Sequence, residues 1–193
     1  MTRRSFGRSV RNALAFAVLT IAAVRAPAAE PPAPAALSAE YQLKAAYLFK
    51  LPQFVEWPAG AFADAQAPFV IGILGEDPFG VYLDDFVRDE KMDTHPIVVR
   101  RFRRGEEARG CHVLYIGRSE GAALEKIFAQ LRRQPTLTVG DLDEFARLGG
   151  MIHLVVEDGR IHFSINADAA KAAGLDISSK LLRLATIVPP PKR

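Results

Sequence analysis

Two alternating runs joined by a tight turn constrain the fold of this chain more than any other stretch. The runs MIHLVV and IHFSIN flank Glu157-Asp158-Gly159-Arg160. Asp-Gly suits a type I′ hairpin turn, because both central residues of that turn need a positive φ. With Asp158-Gly159 as the loop, Leu154 faces Phe163, and the apolar side chains of both runs fall on one core face. The opposite, mixed face carries four residues: His153, Val155, His162 and Ser164.

The first 28 residues have the pattern of an export signal. A basic start precedes twelve mostly apolar residues, Ala13 to Val24, fewer than the ~20 that a membrane-spanning helix needs. Ala26-Pro27-Ala28 then gives a small-x-small cleavage site. We therefore predict a signal peptide over residues 1–28, with an N-terminal membrane anchor as the alternative. Thr2-Arg3-Arg4-Ser5-Phe6 partly resembles a twin-arginine signal, so the export route, Sec or twin-arginine, stays open.

Removal of that segment changes what the charge implies. The whole chain has a formal net charge of +3, but residues 1–28 carry five arginines and no acidic residue, so the remainder has a charge of −2. The basic character belongs to the leader and gives no support for a nucleic-acid partner.

The remainder of the chain is predicted to be one domain over residues 38–188. Residues 29–37 are proline-rich and predict a disordered leader, and residues 189–193 form a tail. Ser38 is the predicted N-cap of the first helix, which Pro52 should kink or end. The apolar stripe predicted for this helix has five members: Leu43, Ala46, Tyr47, Leu51 and Phe54.

Strands and helices alternate through the middle of the chain. The continuous apolar run Phe69 to Leu74 predicts a strand buried on both faces, and Asp77-Pro78 should start a helix that runs to about Val87. Asp141 is the predicted cap of a later short helix. The alternation predicts a single three-layer Rossmann-like α/β domain, with a mostly parallel sheet and an antiparallel C-terminal hairpin at its edge. Further strands are expected over 97–102, 112–116 and 136–139, with helices over 120–131, 168–173 and from Ser178 or Ser179 to Ala185.

Motifs for catalysis or cofactor binding are missing from the sequence. The turn after Leu74 has no G-x-G-x-x-G and no P-loop lysine, and the carboxylate of Asp77 would repel a phosphate. No histidine lies in H-E-x-x-H or beside a nucleophile elbow. We therefore predict no catalytic site and no cofactor.

Two histidines are the candidate metal ligands. His153 and His162 are diagonal neighbours on the mixed face of the hairpin, with Cα atoms about 7–8 Å apart. They could share a metal or sense pH, but no third ligand is evident nearby, so we predict no metal site.

Two other groups of polar residues are candidates for binding a ligand or partner. Arg101 and Arg103 belong to a run of arginines that suits either an anion or acidic partner or a solvated loop; the adjacent acids favour the loop. The second group lies at ends of elements, where α/β sheets gather ligands, but capping of helices is the favoured interpretation. Its members are Asn166, Ser178, Ser179 and Lys180.

Cys111 is the single cysteine. An internal disulfide is therefore excluded. We predict a buried, inert side chain rather than a reactive or intermolecular thiol.

The chain resembles the YfiR family. The resemblance rests on blocks in a fixed order from Lys44 to Ala185, of which the last is the most specific: KAAYLFK…FVEWP, ILGEDPFG, CHVLYI, TLTVGD, GGMIHLV and INADAAKAAGLDISSKLLRLA. It implies a periplasmic, non-catalytic α/β domain. The best-known relatives dimerise and restrain a membrane-bound diguanylate cyclase through its periplasmic segment, which lowers cyclic di-GMP and biofilm formation. Related domains are also fused to sensor kinases.

The resemblance carries over no catalytic residue. Other members can contain further cysteines that form disulfides, so redox control through an internal bridge does not extend to this chain. We expect a negative regulator that acts as a homodimer on an inner-membrane cyclase or sensor protein. The alternative is a periplasmic small-ligand receptor domain that feeds a sensor kinase or transport system.

Overall fold

The structure is a computed structural model that describes residues 39–189. The predicted signal peptide, the leader, the Ser38 cap and residues 190–193 lie outside this range. The helices within it are α1 (Ala39–Lys50), α2 (Val81–Val87), α3 (Leu124–Leu131), α4 (Ala167–Ala172) and α5 (Ser179–Leu182). The strands are β1 (Val55–Glu56), β2 (Phe69–Leu74), β3 (Lys91–Met92), β4 (His95–Phe102), β5 (Val113–Ile116), β6 (Leu137–Gly140), β7 (Ile152–Glu157), β8 (Arg160–Ile165), β9 (Asp176–Ile177) and β10 (Thr186–Ile187).

The strands form a mostly parallel sheet, which confirms the predicted α/β class. The sheet has eight strands in the order β10-β8-β7-β6-β5-β2-β4-β3. Strands β2 and β4 to β7 are parallel neighbours, while β8 is antiparallel to β7 and β3 to β4. A separate antiparallel pair joins β1 to β9. Because β2 lies between β4 and β5, the loops that follow β2, β5 and β6 meet along the carboxyl edge of the sheet, where α/β proteins build their sites.

Strand β2 is buried on both faces, as its continuous apolar run predicts. Ile71 and Ile73 join a large core cluster that includes residues of α1 and α2. Val70 and Leu74 join a second cluster that includes residues of α3. Apolar side chains from helices therefore reach both faces of the central strands, the arrangement that parallel sheets require.

The hairpin of β7 and β8 has the predicted register. Leu154 pairs with Phe163, and the two turn residues Asp158 and Gly159 have φ values of 51° and 70°. The prediction that the hairpin forms the edge of the sheet was wrong, because β10 adds a parallel strand beside β8. Thr186 and Ile187, which follow the predicted last helix, thus form the outermost strand.

The predicted apolar stripe of the first helix was only partly right: Leu51 is buried in the core and Tyr47 packs against it. Leu43 and Tyr47 are half-buried and Phe54 is exposed, whereas Lys44 and Leu48 lie in the core. Because a lysine is not counted as an apolar residue, the apolar spacing predicted that neighbouring residues of the helix face the core instead of Lys44. The predicted end of the helix is confirmed, because a 3₁₀ turn that contains Pro52 begins directly after Lys50.

Three predicted helix starts differ from the structure. Asp77 accepts hydrogen bonds from the amides of Phe79 and Gly80 and so closes a turn, and α2 begins only after Gly80, whose φ is 55°. The helix predicted from residue 120 starts as a 3₁₀ helix, with α3 following from Leu124. Residues 142–149 form turns instead of a helix: Glu144 has a φ of 60°, outside the α-helical region, and the Asp141 side chain bonds Lys44 inside the protein.

Candidate functional site at the carboxyl edge of the sheet

A buried carboxylate stands at the end of β6. The side chain of Asp141 is 0% exposed. Three donors converge on its Oδ2: Lys44 Nζ at 2.5 Å, the Tyr41 hydroxyl at 3.1 Å and Arg118 Nε at 3.3 Å. Tyr41 and Lys44 come from α1, and Arg118 comes from the turn after β5. The carboxylate therefore joins the first helix to two loops of the carboxyl edge.

Lys44 is buried as deeply as its partner. Its side chain is 1% exposed, and its ammonium group also bonds Glu40 one helical turn earlier. The ammonium lies 4.6 Å from the centre of the Tyr41 ring, which adds a cation–π contact. Two carboxylates and one aromatic ring thus replace the water that a buried ammonium loses.

The pKa values in this network follow from burial and from the paired charges. Burial by itself raises the pKa of Asp141, but the hydrogen bond and the charge of Lys44 outweigh burial, so this pKa lies below its ordinary value. Burial and the charge of Asp141 raise the pKa of Tyr41 and of Tyr115. Asp141 is therefore ionised at neutral pH, and a carboxylate with a lowered pKa is a weak general base.

Two atoms of the network are buried without a hydrogen-bond partner in the described range: the Tyr115 hydroxyl and Asp141 Oδ1. Tyr115 lies on β5 and packs edge-to-face on Phe79, with ring centroids 4.8 Å apart. The network thus extends from the buried Asp141 and Tyr115 to the exposed side chains of Glu40 and Arg118 at the surface.

Arg101 occupies the other end of the same edge. Its guanidinium donates to Asp77 at 2.7 Å, to Asp84 at 2.6 Å and to the Gly80 carbonyl at 2.8 Å. The hydrogen bond from Arg101 lowers the pKa of Asp84. Arg101, one of the two candidate residues for an anion or acidic partner, therefore links β4 to α2 and to the turn before it. Arg103 is exposed, and its binding role stays a prediction.

The C-terminal polar residues lie at helix starts. Asn166 is buried, accepts from the Ala169 amide at 3.0 Å and donates to the Ala146 carbonyl at 2.9 Å. Ser178 accepts from the Lys180 amide at 3.3 Å. Asn166 and Ser178 are thus the N-caps of α4 and α5. Ser179 and Lys180 are exposed and are the first two residues of α5. A ligand-binding role for the four residues stays a prediction.

A groove lies between α3, α4 and the turns after Asp141. Its volume is about 830 Å³, within the range of small-molecule sites. Asn166 lines it, but Ser179 does not, so these two candidate residues do not share it. The floor is apolar, with Phe128 and Met151, and the charged lining residues are Glu125, Arg132, Arg133, Arg147 and Asp168.

The two hairpin histidines are diagonal neighbours, as the register predicts. His153 faces Ser164 and is half-buried, while His162 faces Val155 and is exposed. Burial lowers the pKa of His153, although nearby acidic residues oppose this effect. Within residues 39–189 no group of three or more His, Cys, Asp or Glu side chains is placed to hold a metal ion.

Sequence reasoning missed the Lys44–Asp141 pair. The one available signal was that Tyr41, Lys44 and Leu48 follow each other at helical spacing, which places a lysine in the middle of an apolar stripe. Asp141 was assigned to a cap because its position after a strand suits that role equally well.

Comparison with known protein families gives one match. A family model described as YfiR/HmsC-like matches residues 41–186. The chain belongs to the YfiR/HmsC-like family. A search of curated proteins found no significant match. The match runs from Tyr41 to Thr186, so it includes both partners of the buried ion pair and the first residue of the outermost strand.

Membership of the YfiR/HmsC-like family indicates a periplasmic regulator in cyclic di-GMP signalling that interacts with a membrane signalling partner. Members are in general non-catalytic regulators. Among residues 39–189, no helix combines the length and the apolar composition that crossing a bilayer requires.

Proposed function

We propose that this chain is a non-catalytic periplasmic protein that binds and restrains a membrane-bound diguanylate cyclase, and so lowers cyclic di-GMP and biofilm formation. The family match over residues 41–186 is the observation that carries the proposal. The proposal includes export by a signal peptide over residues 1–28, a leader over 29–37, a Rossmann-like three-layer domain over 38–188, a tail over 189–193 and a homodimer.

The polar groups of the carboxyl edge support binding over catalysis. Asp141 is bonded to Lys44 inside the core, and Arg101 is bonded to two carboxylates of its own domain. Groups held in this way stabilise the positions of helices and turns. A protein that acts by presenting a surface needs such a rigid frame and no reactive group.

The sheet edge formed by β10 is the proposed partner surface. No described strand pairs with its outer side, so its backbone groups can accept a strand from another chain. Leu184, just before the strand, and Ile187, within it, are 77% and 51% exposed. Large apolar side chains so exposed are typical of protein interfaces. Pro189 lies two residues after the end of β10 and limits the length of any added strand.

Deletion of the gene, with cyclic di-GMP measured by mass spectrometry, tests the proposal. We expect cyclic di-GMP to rise on deletion and to fall again with the wild-type gene in trans. L184E and I187E should fail to restore the low level. V81E is the matched control, because Val81 is also 77% exposed but lies on α2. An unchanged cyclic di-GMP level in the deletion strain refutes a cyclase partner.

A second candidate function is a receptor for a small ligand that feeds a sensor kinase or transport system. The groove of about 830 Å³ favours it, because an apolar floor with arginines on its walls suits a ligand with an apolar body and a carboxylate. Thermal shift assays with a panel of apolar monocarboxylates test it. A169F, which fills the groove, should abolish the shift, and A122F, at an exposed position outside it, should keep it. No shift with any monocarboxylate of the panel refutes this ligand class.

A further inference from the structure

Four rings form a continuous stack at the amino end of the central strands. His95, Phe62, His112 and Phe69 follow each other with centroid distances of 3.9, 4.3 and 4.8 Å and interplanar angles of 11°, 20° and 23°. Trp57 closes the stack edge-on, with its centroid 5.3 Å from that of Phe69. Phe62 belongs to the loop of residues 57–68, so two histidines of the sheet hold one loop residue between them.

The hydrogen bonds of His112 fix its protonation state. Its Nδ1 accepts from the Val70 backbone amide at 3.0 Å, and a backbone amide can only donate. Its Nε2 lies 3.2 Å from the carbonyl oxygen of Ala61, which can only accept, so Nε2 carries the proton. The bond from Val70 exists only while Nδ1 is unprotonated, whereas Nε2 donates to Ala61 in both charge states. The side chain is thus both a partner of β2 and an anchor of the loop.

The loop depends on side chains from other elements for its position. Residues 57–68 contain no helix and no strand. Three carbonyl groups of the loop accept hydrogen bonds from side chains of other elements: Ala61 from His112, Ala65 from Thr94 and Ala67 from His95. The indole N–H of Trp57 also donates to the carbonyl oxygen of Pro135 at 3.1 Å. Imidazoles therefore make two of these four bonds.

We propose that His112 is an acid-sensitive latch that holds the loop of residues 57–68 against the sheet. Protonation of Nδ1 places an N–H group against the amide of Val70, so one buried hydrogen bond is lost and two donors face each other. To separate these two donors, the imidazolium leaves its place beside Val70, and the loop residues that it contacts, Ala61 and Phe62, move away from the sheet with it, which uncovers Phe62 and Trp57. This device is independent of the proposed function, because it rests on the stack and its hydrogen bonds alone.

The surroundings of His112 lower its pKa on balance and so favour the neutral imidazole. Burial lowers the pKa of His112, the bond to Ala61 opposes this effect, and the charge of His95 across Phe62 lowers it further. Cys111, next in the chain, packs in the core cluster on the other face of the sheet. Because the pKa is depressed in the closed state, the latch is fully effective above pH ~6.5 and is lost as the pH falls through the lowered value.

His95 is a matched internal control. Its Nδ1 lies 2.7 Å from the carbonyl oxygen of Ala67, so Nδ1 carries the proton. A second proton on Nε2 leaves that bond intact. The two histidines stack on the same phenyl ring, yet only the protonation of His112 breaks a hydrogen bond.

Trp57 is the single tryptophan and reports on the loop directly. Acrylamide quenching of its fluorescence is measured from pH 8 to pH 5. A nearby imidazolium can lower the fluorescence intensity of the indole without exposing it, whereas opening of the loop raises the acrylamide quenching constant. We expect the quenching constant of the wild-type protein to rise about twofold or more on acidification, as a local opening requires. H95N should show the same rise. H112N should show none, because the asparagine Oδ1 accepts from Val70 and does not titrate.

A flat profile in the wild-type protein overturns the proposal, and so does an undiminished rise in folded H112N. Loss of the rise in H95N would assign the switch to His95 and would also overturn it. Hydrogen exchange of the wild-type peptide over residues 58–70, corrected for the intrinsic pH dependence, gives a readout that needs no variant. Unchanged protection between pH 7.5 and pH 5 contradicts the latch.

Discussion

Replacement of Lys44 by methionine is the sharpest test of the buried network. Methionine keeps most of the length and the apolar stem but removes the ammonium group, which leaves the Asp141 carboxylate 0% exposed without its main counter-charge. Breaking a buried pair in this way costs about 3–5 kcal/mol. Arg118 and Tyr41 still contact Oδ2, so we expect the lower end of this range, about 3 kcal/mol.

Urea denaturation followed by circular dichroism at pH 7 measures the free energy of unfolding. A loss of about 3 kcal/mol corresponds to a fall of roughly 6–12 °C in Tm for a domain of about 150 residues. K50M is the matched control, because Lys50 lies on the same helix but is exposed, and it should change the free energy by less than about 0.5 kcal/mol. The double variant K44M/D141L should be more stable than K44M, since it removes the unpaired charge.

The contribution of the Lys44–Asp141 pair to stability depends on pH and decreases in acid. Lys44 holds the folded-state pKa of Asp141 below its unfolded value, so the pair adds stability above pH ~4 that is lost as the pH falls through the lowered pKa. The difference in stability between the wild-type protein and D141N should therefore shrink below pH ~4. A cost for K44M below about 1 kcal/mol, or a double variant no better than K44M, would refute the assignment of the pair as a coupled, buried unit.

Three further outcomes are expected. Burial raises the pKa of the Cys111 thiol to about 11, so iodoacetamide should alkylate the native protein at pH 8 far more slowly than the urea-unfolded protein, as mass spectrometry would detect. N166A removes the cap that accepts from the Ala169 amide and should lower the free energy of unfolding by about 0.5–2 kcal/mol, measured by urea denaturation; no loss would contradict the capping role. G140A places a methyl group 2.5 Å from the Phe145 ring and should lower Tm, with an unchanged Tm showing that the ring yields freely.

The hairpin is the clearest case in which a local sequence pattern predicted the structure. Alternation and an Asp-Gly turn predicted every pair of β7 and β8, because the turn sets the register and a slip would reverse the two faces. The continuous run of β2 predicted a strand buried on both faces for the same kind of reason. These signals lie within a few residues of each other, so the sequence contains all the information they need.

The sequence by itself therefore determined the α/β class, the central strands and the family, all of which rest on short patterns in a fixed order. Tertiary structure decided that Lys44 and Asp141, 97 residues apart in the chain, share one buried site, and that β10 covers the hairpin. It also decided that His95, Phe62 and His112 form one stack. The physical reason is that these contacts join distant elements: the pattern around Lys44 can show that its charge is buried, but it does not show which distant residue is the partner.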